Sequence, residues 1–131
     1  MAMMAKCSTM TSHSTIKTKK MPFLIEAKRL FTSLQQQFVK LIRGMPQEVP
    51  PPVDVMASSW SLGERTHVDR MTRISAVGSP ATLRKQLEAL VESTGADEVI
   101  ATAQIFDHEA RLRSFEIAAE VLQAMASRHT A

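Results

Sequence analysis

The stretch that decides the fold is residues 74–106, which read ISAVGSPATLRKQLEALVESTGADEVIATAQIF. The first four residues favour a short strand, and the β-type run 98–105 favours a second one. Between them, Ser79 is a good N-cap and Pro80 suits the first helical position, so a helix begins there and ends at Gly95. A strand, a helix and a strand in this order predict a βαβ unit with parallel strands.

Helical signals continue on both sides of this unit. Apolar residues recur every three or four positions over residues 23–43, and Gly44 stops that helix. Ser61 and Glu64 have the spacing of a capping box, and Asp107 is the N-cap of the last helix. The helices are predicted over 24–43, 62–73 (with Val68 and Met71 facing inward), 80–94 and 108–126, and the strands over 74–77 and 98–105. The polar face of the first helix, predicted to be solvated, carries Lys28, Arg29, Gln35, Gln36 and Lys40.

Composition limits the class of protein. The 131 residues amount to one domain, and 44% hydrophobic with 22% charged residues is ordinary for a globular chain. No apolar run is long enough to cross a membrane, so no membrane association is expected. The lone Cys7 excludes an internal disulfide and a multi-cysteine zinc site, and it favours a reducing, cytoplasmic location.

The net charge of +3 comes from one end of the chain. Residues 1–22 contain four lysines and no acidic residue, whereas the remainder has twelve basic and thirteen acidic residues. A nucleic-acid-binding domain needs clustered cations on its folded surface, so nucleic-acid binding is not expected. The Ser/Thr-rich segment 1–22 has no apolar core for a secretory signal and is predicted to be a disordered tail, with Met21 as an alternative start.

Residues 44–60 show no periodicity and contain the triple proline Pro50–Pro52. Consecutive prolines impose extended polyproline geometry, so this stretch is predicted to be a stiff surface loop. Loops of this length inside a domain are usually functional or serve as linkers. A proline-recognition ligand remains an alternative.

Several stretches together carry a family resemblance. They are 29–36 (RLFTSLQQ), 50–54 (PPPVD), 76–80 (AVGSP), 94–98 (TGADE) and 107–116 (DHEARLRSFE). In this order and spacing, residues 27–126 resemble the carboxyl-terminal third of the luciferase-like flavin-dependent oxidoreductases, the bacterial luciferase-like monooxygenases. These are TIM-barrel enzymes that use reduced flavin mononucleotide (FMN).

The resemblance implies an α/β fold: the truncated carboxyl-terminal part of a (β/α)8 barrel, dominated by helices and with two parallel strands. Residues 23–126 would comprise the sixth helix, an insertion over 44–73 and a βαβα unit over 74–126, followed by a disordered end at 127–131. Residues 1–22 are not expected to be family sequence. A complete barrel needs about 250 residues. The chain is thus interpreted as a fragment of a flavin-dependent monooxygenase that is inactive by itself, the alternatives being a small helical interaction protein or a truncated gene product.

Two positions carry the candidate site chemistry. Gly78 and Ser79 follow a predicted strand at a helix N-terminus, where backbone N–H groups can hold an anion, and the resemblance implies that this anion is the phosphate of FMN; simple capping by Ser79 with a tight turn at Gly78 is the favoured alternative. Asp107 and His108 lie at the carboxyl end of the next strand, the catalytic face of a barrel, but an N-cap followed by a solvated first-turn residue is the favoured interpretation. The catalytic residues stay unknown. No metal site is predicted, because consecutive acidic and histidine side chains diverge around a helix and cannot chelate one ion.

The predicted strand edges raise the question of a partner. One face of the strand over 98–106 would be covered in a complete barrel by strands that this chain does not supply. The first helix, with Phe31, Leu34 and Phe38, is the large apolar surface available to cover it. The chain is therefore expected to form a homo-oligomer or to associate with a complementing barrel half.

Overall fold

The computed structural model describes residues 3–4 and 20–129, and helices dominate this part of the chain. The helices are α1 (Lys20–Ile42), α2 (Leu62–Met71), α3 (Pro80–Thr94) and α4 (His108–His129). The strands are β1 (Met3–Met4) and β2 (Ala76–Val77). None of the helices in the described residues is long and apolar enough to cross a membrane.

The helix ends follow the capping signals in the sequence. Ser61 accepts from the Glu64 N–H and the Glu64 carboxylate accepts from the Ser61 N–H, which completes the capping box of α2. Gly95 ends α3 in the left-handed conformation at φ 62°. Helix α1 starts at Lys20, before the predicted start at 24, and α4 continues to His129, so residues 127–129 are helical and not a disordered end.

The predicted pairing of strands 74–77 and 98–105 is wrong. Strand β2 pairs in parallel with β1, in the register Met3 with Ala76 and Met4 with Val77. Helix α3 lies against β2, and α4 lies against β1, so β1 takes the place expected for the second strand. Met3 and Met4 are thus ordered within the segment predicted to be disordered; the rest of that segment up to residue 19 lies outside the described residues.

Residues 98–106 are extended but do not form a strand, apart from an isolated bridge at Thr102. Their side chains nevertheless alternate, since Ala103 and Ile105 are buried whereas Ile100 and Phe106 are exposed. The β-type pattern therefore correctly indicated an extended backbone with one buried face. The pattern does not show which strand, if any, lies beside this segment, and a ladder requires such a neighbour.

The core consists of two hydrophobic clusters. The α3–α4 cluster contains Ala76, Leu83, Leu87, Ile117, Ala118, Val121 and Met125, with Val99 and Ala101 packed against it. The α1 cluster contains Leu30, Leu34, Ala103, Ile105 and Ala110, with Phe31 and Phe38 packed against it. The first helix therefore packs on the same face of segment 98–106 as the other helices and not, as was expected, on the opposite face, because Ile100 and Phe106 on that opposite face are exposed. In α2, Val68 is buried as predicted, but Met71 is 39% exposed because it lies at the end of that short helix.

The buried face of the extended segment gives a matched test. Ile105 is 0% exposed and Ile100 is 74% exposed, although both lie in the same segment. Ile105→Ala should lower the free energy of unfolding by about 2–5 kcal/mol, because it removes buried methyl groups and leaves a cavity. Ile100→Ala should change it by no more than about 0.5 kcal/mol. Urea denaturation of the two variants measures both values, and equal losses would contradict this packing.

Candidate functional site

The Gly78–Ser79 turn joins β2 to α3 and is held by its own side chains. The Ser79 Oγ accepts from the Thr82 N–H at 3.3 Å and lies 3.0 Å from the Thr82 Oγ1. Gly78 is buried at φ 143°, and a Cβ there would lie 3.0 Å from the Thr82 Cγ2. Glycine is required at this position both by the backbone angle and by the threonine side chain.

The same turn retains groups that can bind an anion. Pro80 has no N–H, and the N–H groups of Thr82 and Leu83 are bonded to the Ser79 Oγ and carbonyl oxygen. The Ala81 N–H makes no hydrogen bond to another described residue, and the Ser79 and Thr82 hydroxyls donate and accept. The helix N-terminus contributes a partial positive charge. The turn therefore has two donors that are not used within it, the Ala81 N–H and the one hydroxyl of the Ser79–Thr82 pair that does not donate to the other.

A cavity of about 730 Å³ opens beside Val77, the residue that precedes this turn. Its volume lies in the range typical of small-molecule sites. Apolar side chains and a few polar groups from α1 form most of the wall, and the loop between α1 and α2 forms the rest. The lining residues are Ile25, Lys28, Arg29, Phe31, Thr32, Gln35, Asp54, Met56, Trp60 and Val77.

The loop wall of the cavity is tied to α1 by side chains of that helix. The Thr32 hydroxyl accepts from the Val53 N–H at 2.8 Å and lies 3.2 Å from the Val53 carbonyl oxygen. The Gln36 Nε2 donates to the Pro51 carbonyl at 2.9 Å, and the Arg29 Nε donates to the Asp54 carboxylate at 2.9 Å. Because side chains of α1 satisfy these loop groups, the proline-rich loop lies along the helix.

The far end of the loop is fixed by an ion pair. Arg43, which follows α1, donates from Nε and Nη2 to the two carboxylate oxygens of Glu64 at 2.6 and 3.0 Å. The Arg43 Nη2 also donates to the Ser59 carbonyl. The hydrogen bond from Arg43, followed by that from the Ser61 N–H, lowers the pKa of Glu64 to about 2. The α2 capping box is thereby joined to the end of α1.

Asp107 and His108 have structural partners. The Asp107 Oδ1 accepts from the Ala110 N–H at 2.8 Å, so Asp107 is the N-cap of α4 as predicted. The His108 Nδ1 lies 2.8 Å from the Arg111 Nη2, and the Arg111 Nη1 donates to the Ile105 carbonyl. No group of three or more His, Cys, Asp or Glu side chains in the described residues is placed to hold a metal ion. Cys7 lies outside those residues.

Sequence reasoning found the turn but missed the cavity. Lys28 is exposed and the Arg29 side chain is 41% exposed, as the predicted solvated face requires, but both residues also border the cavity, and Arg29 is paired with Asp54. The periodicity of α1 shows which face is polar, but it does not show that a loop lies across that face. The usable signal was the presence of a charged residue, Asp54, and an aromatic residue, Trp60, in the proline-rich stretch 44–60.

The chain resembles known proteins over most of its length. No protein-family model matches it. The luciferase-like monooxygenase of Escherichia coli K12 is 44% identical over 100 residues, which are 76% of this chain and 30% of that protein. The uncharacterized protein YvbT of Bacillus subtilis 168 is 40% identical over 96 residues, which are 73% of this chain and 29% of that protein. The crystal structure of apo-MsnO8 is similar with a TM-score of 0.53 at 26% identity, over 75% of this chain and 30% of that one.

These similarities define a class of protein that agrees with the motifs. The matched part is the carboxyl-terminal part of a luciferase-like enzyme. The chain belongs to the luciferase-like monooxygenases, and it spans about 30% of the length of the curated relatives that it matches.

Two glycines with opposite surroundings test the turn geometry. Gly78→Ala should lower the free energy of unfolding by about 1–3 kcal/mol, because alanine is strained at φ 143° and contacts Thr82. Gly63→Ala, in α2 with open space around the new Cβ, should raise it by about 0.5–1 kcal/mol through helix propensity. Thermal and urea unfolding of both variants measure the two signs, and a neutral Gly78→Ala would contradict the strained turn.

The ion pair between Arg43 and Glu64 predicts a pH dependence of stability. A folded-state pKa of about 2, below the ordinary 4.5, means that Glu64 stabilises the fold above about pH 4.5. This contribution is lost as the pH falls through about 2. Glu64→Gln should therefore show a shallower loss of stability in that window than the unmodified chain.

Arg43→Gln is the matched variant, because it removes the largest cause of the pKa shift and should flatten the same window. The effects of the two substitutions should overlap in the double variant, since they remove one interaction. If the curves of stability against pH were parallel for all variants between pH 2 and 5, the Arg43–Glu64 pair would contribute nothing to the pH dependence of stability.

Proposed function

We propose that this chain is the carboxyl-terminal segment of a flavin-dependent, luciferase-like oxidoreductase and that it has no complete active site by itself. The 44% identity to a luciferase-like monooxygenase supports the family chemistry. The span of about 30% of the relatives supports the incompleteness, because most of the scaffold that shapes a pocket in those proteins has no counterpart here.

The observation that carries this proposal is the turn after β2. The Ser79 and Thr82 hydroxyls and the Ala81 N–H stand at the N-terminus of a fifteen-residue helix, next to the residue that lines the cavity. These donors fit the phosphate of FMN as one side of its site. The Ala81 N–H and the remaining hydroxyl donor of the Ser79–Thr82 pair would hold the phosphate, and the buried Gly78 would keep the turn close against α3.

A bound reduced flavin supplies the reaction with oxygen that the family resemblance implies. The residues of this chain contribute binding and orientation to that chemistry. Phe31, Met56 and Trp60 give the cavity beside the turn an apolar wall, and Lys28 places a cation beside it. These residues would form one part of the wall around a bound flavin.

A chimera tests whether the segment works in its family context. Residues 24–126 would replace the matching part of the Escherichia coli relative, and flavin binding would be followed by fluorescence quenching. The chimera should bind FMN, and Ser79→Ala should weaken FMN binding while leaving riboflavin binding unchanged, since riboflavin lacks the phosphate. Equal loss for both flavins would assign Ser79 to capping, and a folded chimera that binds neither would refute the proposal.

The isolated chain gives the complementary prediction. Purified residues 1–131 should neither retain stoichiometric FMN nor change the rate at which added reduced FMN consumes oxygen relative to a protein-free control, because the donors at the turn form one side of a site. Absorbance of the purified chain near the flavin bands and an oxygen electrode check this. Recovery of one FMN per chain from a monomer would show a complete site.

A second candidate function is favoured by the surface of α4. Leu112 and Phe115 lie one turn apart on this helix and are exposed. Exposed apolar side chains at this spacing are typical of a helix that docks against another protein. The chain would then be a small helical interaction protein. Failure of the flavin experiments together with unchanged folding would favour this function.

A further inference from the structure

The cavity of about 730 Å³ beside α1 has some polar groups on its wall that are already used within the protein. The Arg29 Nε donates to the Asp54 carboxylate at 2.9 Å, so this cation and this anion compensate each other. The Thr32 hydroxyl donates to the Arg29 carbonyl at 2.6 Å and accepts from the Val53 N–H at 2.8 Å. These three side chains therefore have partners without a ligand.

Three other polar residues border the cavity without such partners. The side chains of Lys28, Gln35 and Trp60 make no hydrogen bond or ion pair with another residue that the structure describes. A lysine ammonium and an indole N–H only donate hydrogen bonds, and a glutamine amide donates through its NH₂ group and accepts at its oxygen. Because most of these groups are donors, a ligand that satisfies them must supply acceptors.

The charge of the wall favours an anion. Among the described residues, Lys28 and Arg29 are the cations that border the cavity and Asp54 is the carboxylate that borders it, so the net charge is +1. Since Asp54 already compensates Arg29, the positive charge that remains belongs to Lys28. A singly charged carboxylate matches this charge and accepts hydrogen bonds at both of its oxygens.

The rest of the wall is apolar and fits the body of an organic molecule. Lys28, Phe31 and Gln35 share one face of α1 at steps of three and four residues, and they cover about 10 Å along the helix axis. Phe31 thus lies between the cation and the amide. Met56, which is 8% exposed, adds apolar surface from the loop, and Trp60 adds an aromatic ring. A mostly apolar wall with a few polar groups is typical of small-molecule sites.

We infer that this cavity holds a small organic carboxylate with an apolar body, whose carboxylate pairs with Lys28 and whose body contacts Phe31 and Trp60. Gln35 offers a hydrogen bond to a polar group at the far end of the same ligand. This inference names the substrate class for the site of the proposed function, and it rests on that function for the role of the ligand as a substrate. The carboxylate is a second molecule beside the flavin, whose phosphate is assigned to the turn after β2.

Fluorescence of Trp60 tests the inference, because this residue is the single tryptophan of the chain and borders the cavity. The probes are hydrocinnamate and its neutral amide, hydrocinnamamide, which have the same apolar body. Titrated into the full chain, hydrocinnamate should change the fluorescence with saturation. It should bind about three- to fivefold more tightly than the amide, since an exposed ion pair contributes modestly. Equal affinities, or no saturable change with either probe, would overturn the inference.

Two exposed lysines provide matched variants. Lys28→Gln should abolish the preference for hydrocinnamate over its amide, because it removes the uncompensated cation. Lys85→Gln makes the same change of charge on α3, outside the residues that border the cavity, and should leave both affinities unchanged. Equal effects of the two substitutions would assign the preference to the overall charge of the chain and would overturn the inference.

A third variant should act in the opposite direction. Asp54→Asn should tighten hydrocinnamate binding by about two- to threefold, because it frees Arg29 from its ion pair and raises the charge of the wall. The affinity for hydrocinnamamide should stay the same. Asp54 is the suitable position because its side chain is 84% exposed, so the substitution leaves the core intact. Equal tightening of both probes would contradict recognition of a carboxylate.

Flavin binding distinguishes failure of this inference from failure of the proposed function. Selective binding of hydrocinnamate by the isolated chain, combined with a folded chimera that binds no FMN, would retain the carboxylate site and refute the flavin role. A chimera that binds FMN, combined with equal affinities for the two probes, would retain the flavin role and refute the carboxylate site. Displacement of hydrocinnamate from the chimera by FMN would also overturn the inference, since the two molecules would then occupy the same space.

Discussion

The fold depends on one extended segment that enters both hydrophobic clusters. Val99 and Ala101 pack on the α3–α4 cluster, and two residues later Ala103 and Ile105 enter the α1 cluster. Because alternate side chains of an extended backbone point to the same side, four small or medium side chains suffice to connect the two clusters. If this segment were a helix, about half of these four side chains would point away from the two clusters. The segment thus joins α1 to the α3–α4 pair without the ladder of a larger sheet.

The parts of the fold that sequence predicted well are those with local causes. The ends of α2 and α3 depend on side chains within three or four residues, namely Ser61 with Glu64 and Ser79 with Thr82. Strand pairing is a non-local choice, and the pattern over 98–105 contains no information about which segment lies beside β2. That position is occupied by Met3–Met4, from a stretch whose composition indicated disorder. The isolated residue pair carries no periodicity from which its pairing could have been predicted.

In the candidate site, too, the sequence predicted the part that has a local cause and did not predict the part that depends on distant contacts. The turn at Gly78 and Ser79 was predicted, because a glycine, an N-cap and a proline in succession after an apolar run are a local signal. The cavity wall was not predicted, because it depends on where the loop lies relative to α1. The turn provides donors on one side, and its remaining first-turn amides are used internally. Donors on one side alone are consistent with a chain that spans about 30% of the length of its luciferase-like relative.

The contacts between α1 and the proline-rich loop have a consequence for how such sequences change over time. The Thr32 hydroxyl accepts from the Val53 N–H, and Gln36 donates to the carbonyl of Pro51, so stretches 29–36 and 50–54 behave as a single unit although the sequence separates them. Replacing Thr32 with valine would leave the Val53 N–H of the loop without its partner. Substitutions in either stretch are therefore tolerated mainly in combination. The two should be inherited as a pair in any chain that keeps this helix and this loop.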